Sequence, residues 1–163
     1  MILGADLASD GVAVRVVWLD GDSLPVKVRE LVFRRALKLG LDVRVVANRL
    51  LPVPATAEVQ LVLVPPGDDE ADAYILANAG ERDLVITRDI PLACALAERG
   101  LRVINDRGVW YDLETARERL SVRDFAFDLR QSGIDPGRRD RFGSRELHAF
   151  AGTFEQALRR GWE

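Results

Sequence analysis

At 163 residues, with 48% hydrophobic and 30% charged residues, the chain has the proportions of one globular domain with a core of its own. A net charge of −3 and a pI near 5.3 exclude a protein that coats nucleic acid through a uniformly positive surface, while a local basic patch stays open. The opening MILGADLASDGVAVR has neither the basic nor the apolar region of a secretory signal, and no apolar run approaches the roughly 18 residues of a membrane span, so a cytoplasmic protein is expected. Cys94, the single cysteine, lies in PLACALAE and reads as a packed helix residue. His148, the single histidine, lies in a helical pattern near the C-terminus with no partner that would make it a base or a ligand. Of the 23 basic residues only Lys27 and Lys38 are lysines. The planar fork of arginine suits bidentate phosphate contact, although codon bias explains the same composition.

From Val12 to Leu19 the mostly apolar, β-branched residues predict a strand buried on both faces. After Pro25, apolar Val28, Leu31, Val32, Ala36 and Leu39 recur at helical spacing, and Gly40 is a terminator. Asp42 to Asn48 (DVRVVAN) predicts a second strand and Val59 to Val64 a third. The acidic segment from Gly67 opens a helix that ends at Gly80; Asp83 to Asp89 (DLVITRD) is a fourth strand, IPLACALAERG a helix, and LRVIND a fifth strand. Strands alternating with helices imply a mostly parallel sheet covered on both faces. Beyond Trp110 the pattern predicts a short helix at LETARERL, another at SVRDFAFDLRQSG capped by Ser121 with Asp124 three residues on, and a last helix from Ser144 to about Arg160. One domain over 1–163 is expected, with an N-terminal extension over 1–13 and a helical part over 112–163 packed on the same body.

In an open parallel sheet, ligands bind beyond the carboxyl ends of the strands. The first predicted strand ends in Asp20 and Asp22, the second in Asn48, the fourth in Thr87 and Asp89, and the fifth in Asn105 and Asp106; the helix between strands three and four starts with Asp68, Asp69, Glu70 and Asp72. Each acid alone reads as a helix cap or a first-turn acid. Together they load one rim with negative charge, and two carboxylates about 4 Å apart repel by roughly 4 kcal/mol at an effective dielectric near 20. A cation removes that repulsion. An oxygen-only set of carboxylates and amides suits Mg2+ or Mn2+ better than Zn2+. The expected ligands are Asp20, Asp22, Asp69, Asp72 and Asp89, with Asn48, Thr87 and Asn105 as hydrogen-bonding support. Asp69 and Asp72 can share one helix face. Metal-assisted attack on a phosphate ester needs no histidine.

DGDSLP at Asp20–Pro25, VAN ending at Asn48, DEAD at Asp69–Asp72, DLVITRDIPLA at Asp83–Ala93, NDRG at Asn105–Gly108 and RDF at Arg123–Phe125 resemble, in order and spacing, the bacterial YaiI/YqxD family. That family is grouped by fold with PIN-like nucleases, so the resemblance implies a single-domain PIN-like three-layer α/β fold with about five strands and C-terminal helices. It also implies a metal-dependent ribonuclease-type site acting on nucleic acid, single-stranded RNA foremost, with a homodimer left open. In those terms Asp20 is the first metal acid, Asp69 or Asp72 the second and Asp89 the third, with Asn105 or Asp106 beside them, and Thr87 joins Asp20, Asp72 and Asp89 in the catalytic set. Arg29, Arg34, Arg107 and Arg123 stand where the resemblance implies basic residues for the substrate, and Arg138, Arg139 and Arg141 form a loop cluster. The sequence departs from the family's D-A-D-A-C-P at Gly21, Ser23 and Leu24, which removes any role for a cysteine but keeps Asp22.

Two rival readings follow from the same residues. DGDSL after an apolar strand resembles the nucleophile loop of haloacid-dehalogenase-like phosphatases, but GDDEAD precedes Thr87 where that family has the opposite order, and both lysines lie in the first helix. The other rival is a non-catalytic PIN-like module that binds RNA or protein.

Overall fold

The structure is a computed structural model describing residues 12–67, 69–134 and 141–159. Five β-branched segments form the strands: β1 (Val16–Asp20), β2 (Asp42–Ala47), β3 (Val59–Leu63), β4 (Leu84–Ile86) and β5 (Arg102–Ile104). They assemble in the order β3-β2-β1-β4-β5 with every pairing parallel. Five helices lie among the described residues: α1 (Val26–Leu39), α2 (Glu70–Asn78), α3 (Ile90–Glu98), α4 (Leu113–Gln131) and α5 (Ser144–Arg159). The chain is thus a single α/β domain. No helix among the described residues is long and apolar enough to cross a membrane.

Side-chain alternation along each strand sends apolar residues to both faces, as a doubly covered parallel sheet requires. Val17, Leu19, Leu84 and Ile86 face α1 and α5, where Phe150 and Phe154 stack with centroids 5.5 Å apart. Trp18, Val46, Val85 and Val103 face α2 and α3, joined by Ala116 at the start of α4. Complete burial of each large side chain contributes about 2 kcal/mol, so both faces are firmly held. Cys94 is one of these buried helix residues, as its apolar setting predicts.

Three expectations change. β1 starts at Val16, not Val12, because the N–H of Ala13 bonds Leu158 O (2.7 Å) and that of Arg15 bonds Arg82 O (2.7 Å), leaving the earlier residues out of the ladder. Val12 and Val14 are nonetheless buried core residues. The two short helices expected after Trp110 are one continuous helix, α4, capped by Asp112, whose side chain accepts from Thr115 N (2.7 Å). Ser121 does not cap a helix: with neither glycine nor proline at the expected break, a mid-helix serine costs only about 0.5 kcal/mol, too little to stop the helix. Asp68, Arg138, Arg139 and most of the expected N-terminal extension lie outside the described residues.

A candidate acidic site at the carboxyl edge of the sheet

The chain runs β1 to β2 to β3 toward one edge and then crosses to β4 and β5 on the other side of β1, so the topological switch falls between β1 and β4. Both strands end in acid-bearing loops there. Register decides what meets: Trp18 pairs with Val85 and Leu19 with Ile86, so Asp20 and Thr87, one step further, fall side by side on the face that carries α2 and α3. The Thr87 hydroxyl accordingly donates to Asp20 Oδ2 at 2.7 Å and accepts from the N–H of Asp89 at 2.9 Å. Ser23 Oγ lies 3.0 Å from the same Asp20 oxygen and accepts from the N–H of Arg88 at 3.3 Å. A hydrogen bond to a charged group contributes about 1.5–3 kcal/mol, so Asp20, only 5% exposed, is locked in one orientation. Among the described residues no hydrogen bond engages its Oδ1.

Asp20, Asp22, Asp69, Asp72 and Asp89, with Asn48, line one cleft of about 540 Å³. All five aspartates expected as ligands therefore line the same cleft. Burial pushes the Asp20 carboxyl up; the bonds from Thr87 and Ser23 oppose this, and the charges of Asp89 and Asp22 add to it. Asp72 is pushed up to about 7, first by burial, then by the charges of Asp89 and Asp20, by a hydrogen bond shared with Asp89, and by Asp69.

The acids differ in what else they do. Asp89 caps α3, accepting from Leu92 N at 2.9 Å, so the capping reading holds for it as well. Asp69 stands at the N-cap of α2 without making a side-chain cap bond, in a left-handed conformation (φ 67°) that few residues other than glycine adopt. Asp22 commits both oxygens to the loop after β2: Oδ2 accepts from Asn48 N (2.8 Å) and Oδ1 from Arg49 Nε (3.0 Å). The oxygen-only donor set suits a hard divalent cation, and the mutual repulsion is what such an ion relieves. As they stand, no three Asp, Glu, Cys or His side chains among the described residues form a group that could hold a metal ion. The fit is one of chemistry and charge, and closing a coordination shell requires side-chain movement.

A second cleft of about 680 Å³ adjoins the first and shares Asp22, Ser23 and Asp89 with it. Asn105 and Arg107 line this one. Asn105 shapes the turn after β5, its Oδ1 accepting from the N–H groups of Arg107 and Val109, both at 2.9 Å. Gly108, at φ 82°, lies so close to α5 that a Cβ there would stand 2.6 Å from Ala149 O, and Thr153 Oγ1 donates to its carbonyl at 2.8 Å. Arg88, Arg119 and Tyr111 also line the cleft and went unnoticed in the sequence. Arg88 lies between Thr87 and Asp89, so strand-end logic could have found it; Arg119 sits mid-helix with no local signal.

Three arginines expected at the substrate do not join either cleft. Arg29 is on the buried side of α1, where Val28 and Val32 lie, and lines a separate groove of about 280 Å³ with Phe33 and Pro52. Arg34 is on the exposed side of the same helix. Arg123 sits on the exposed second half of α4, 3.7 Å from neighbouring Asp124. The family resemblance carried them, and helix phase sends them elsewhere. Exposed Arg141 lines none of these clefts, and His148 is exposed on α5.

Comparison with known proteins places this chain in a family. The family model described as uncharacterised, YaiI/YqxD family, matches residues 18–160. A UPF0178 protein of Treponema pallidum is 45% identical over 140 residues, 86% of this chain and 79% of the relative. One of Syntrophotalea carbinolica is 40% identical over 144 residues, 88% of this chain and 97% of the relative. No solved structure matches the chain.

Proposed function

The chain belongs to the YaiI/YqxD family, and from that premise and the acidic cleft we propose that it is a PIN-like, Mg2+- or Mn2+-dependent hydrolase of phosphodiester bonds, with single-stranded RNA as the preferred substrate. One observation carries the reading: aspartates from β1, the start of α2 and the start of α3 line a single cleft at the sheet's switch point, close enough to push Asp72 to about 7. Asp20, Asp72 and Asp89 would hold the cation, with Asp69 beside them and Asp22 fixing the rim. A bound divalent ion supplies an activated water and charge compensation at the leaving oxygen. The residues of the chain do the rest. Thr87 holds the Asp20 carboxylate and the Asp89 loop in one geometry, and Ser23 ties the β1 and β4 loops together. Asp72, pushed up to about 7, can hold or release a proton near neutral pH. Asn48, at the rim of the cleft, would meet substrate.

Incubation of purified protein with labelled single-stranded RNA and DNA plus Mn2+ tests the reading. Cleavage of RNA that disappears in Asp20→Asn is the expected result. Binding without cleavage in every condition would overturn it in favour of a non-catalytic module. Turnover of small phosphomonoesters with no attack on RNA would overturn it in favour of a phosphatase.

A further inference from the structure

Beside the acidic cleft, the second cleft adds arginines to the carboxylates of its wall. Arg88 from the loop after β4, Arg107 from the turn after β5 and Arg119 from α4 come from three separate stretches of chain and line one cavity. Asp22, Asp89 and Asp106 line the same cavity, so three guanidinium groups and three carboxylates share its wall. Of the acids shared with the first cleft, Asp22 pairs with Arg49 and Asp89 accepts from Leu92 N. The third carboxylate, Asp106, pairs with Arg88. It is 2% exposed, its Oδ2 has no hydrogen-bond partner among the described residues, and it lies 3.4 Å from Arg88 Nε. Burying a carboxylate on so imperfect a pairing is destabilising in itself. What it does is fix Arg88, whose main-chain N–H is already tied to Ser23, at the boundary of the two clefts. Among the described residues no hydrogen bond engages the Arg88 Nη groups.

We infer that the arginine-lined cleft is a phosphate subsite for a nucleic-acid strand, with Arg88 as its fixed anchor and Arg107 and Arg119 completing the cradle, so that the strand runs from here into the acidic cleft. Guanidinium groups bind phosphate oxygens in pairs, and a cavity of about 680 Å³ has room for a nucleoside phosphate. That the strand continues into a hydrolytic site rests on the function proposed above; that this cleft takes a strand phosphate does not.

The test is fluorescence anisotropy with a labelled oligouridylate in chelator, where no metal-dependent cleavage occurs, across a salt series. Arg119 is exposed, so Arg119→Ala leaves the fold intact. Arg119→Ala and Arg88→Ala should each weaken binding about tenfold and reduce the slope of log affinity against log salt by about one, while Lys38→Ala, on the far turn of α1, changes neither. Asp106→Asn should weaken binding as Arg88→Ala does. Binding equal to wild type in both arginine variants, or no binding of the oligouridylate at low salt, overturns the inference. Uridine monophosphate competing as well as the oligomer would assign the cleft to free nucleotides and overturn the strand. Loss of Mn2+-dependent cleavage with these binding effects intact would sink only the hydrolase.

Discussion

Replacing Asp72 by asparagine should stabilise the metal-free protein at alkaline pH, which is the reverse of what removing a satisfied buried carboxylate does. The folded-state value of Asp72 is raised from 3.8 to about 7. A raised acid binds its proton more tightly in the folded state, so its contribution is most favourable at low pH and declines as pH climbs from the ordinary carboxylate range to about 7, then levels off. A rise of that size corresponds to about 4 kcal/mol at most. Asp72 is partly open to solvent, and screening reduces that to about 2 kcal/mol. For a chain of this length, 2 kcal/mol is about 5 °C in Tm. In chelator, Asp72→Asn should therefore melt about 5 °C above wild type near pH 8 and within about 1 °C of it near pH 4. Differential scanning calorimetry at the two pH values makes the comparison. A variant that melts below wild type near pH 8, or that shifts equally at both, would refute the picture of mutually repelling acids.

Thr87→Val removes the hydroxyl that joins Asp20 to the Asp89 N–H, so it should destabilise by about 2 kcal/mol in urea unfolding, with Thr87→Ser recovering most of the loss. At the opposite edge of the sheet, buried Asp83 accepts from Trp18 Nε1 (3.0 Å) and Gly80 N (2.9 Å) with Arg15 3.5 Å away; Asp83→Ala should destabilise by about 3 kcal/mol and shift tryptophan emission, without changing the response to Mn2+. Gly108→Ala forces a side chain into the α5 backbone at positive φ and should lower stability by about 3 kcal/mol in the same assay, with the turn that carries Arg107 displaced.

Why some of this was readable from the residues and some was not has physical causes. β-branched runs and their polar endings located all five strands, and the rule that ligands gather at carboxyl ends picked out Asp20, Thr87 and Asp89 before any pairing was known. The bond from Thr87 to Asp20 was out of reach, because it depends on the register of β1 against β4, which no local pattern specifies. α4 read as two helices since Ser121 and Asp124 mimic a capping box; helix continuity depends on what is absent, a glycine or proline at the break. Three of the four expected arginines lie outside the two clefts for a similar reason. A long side chain's destination is set by helix phase, which buries Arg29 under the 52–54 loop and directs Arg34 outward, and by tertiary convergence, which gathers Arg88, Arg107 and Arg119 from distant segments.

The shared cation is the claim on which the rest depends, and calorimetric titration of Mn2+ into metal-free protein near pH 7 tests it most directly. Saturable binding, with release of protons as Asp72 ionises fully and with the heat abolished in Asp20→Asn and in Asp89→Asn, is the predicted result. Heats no different from dilution, or binding that survives both substitutions, would contradict it.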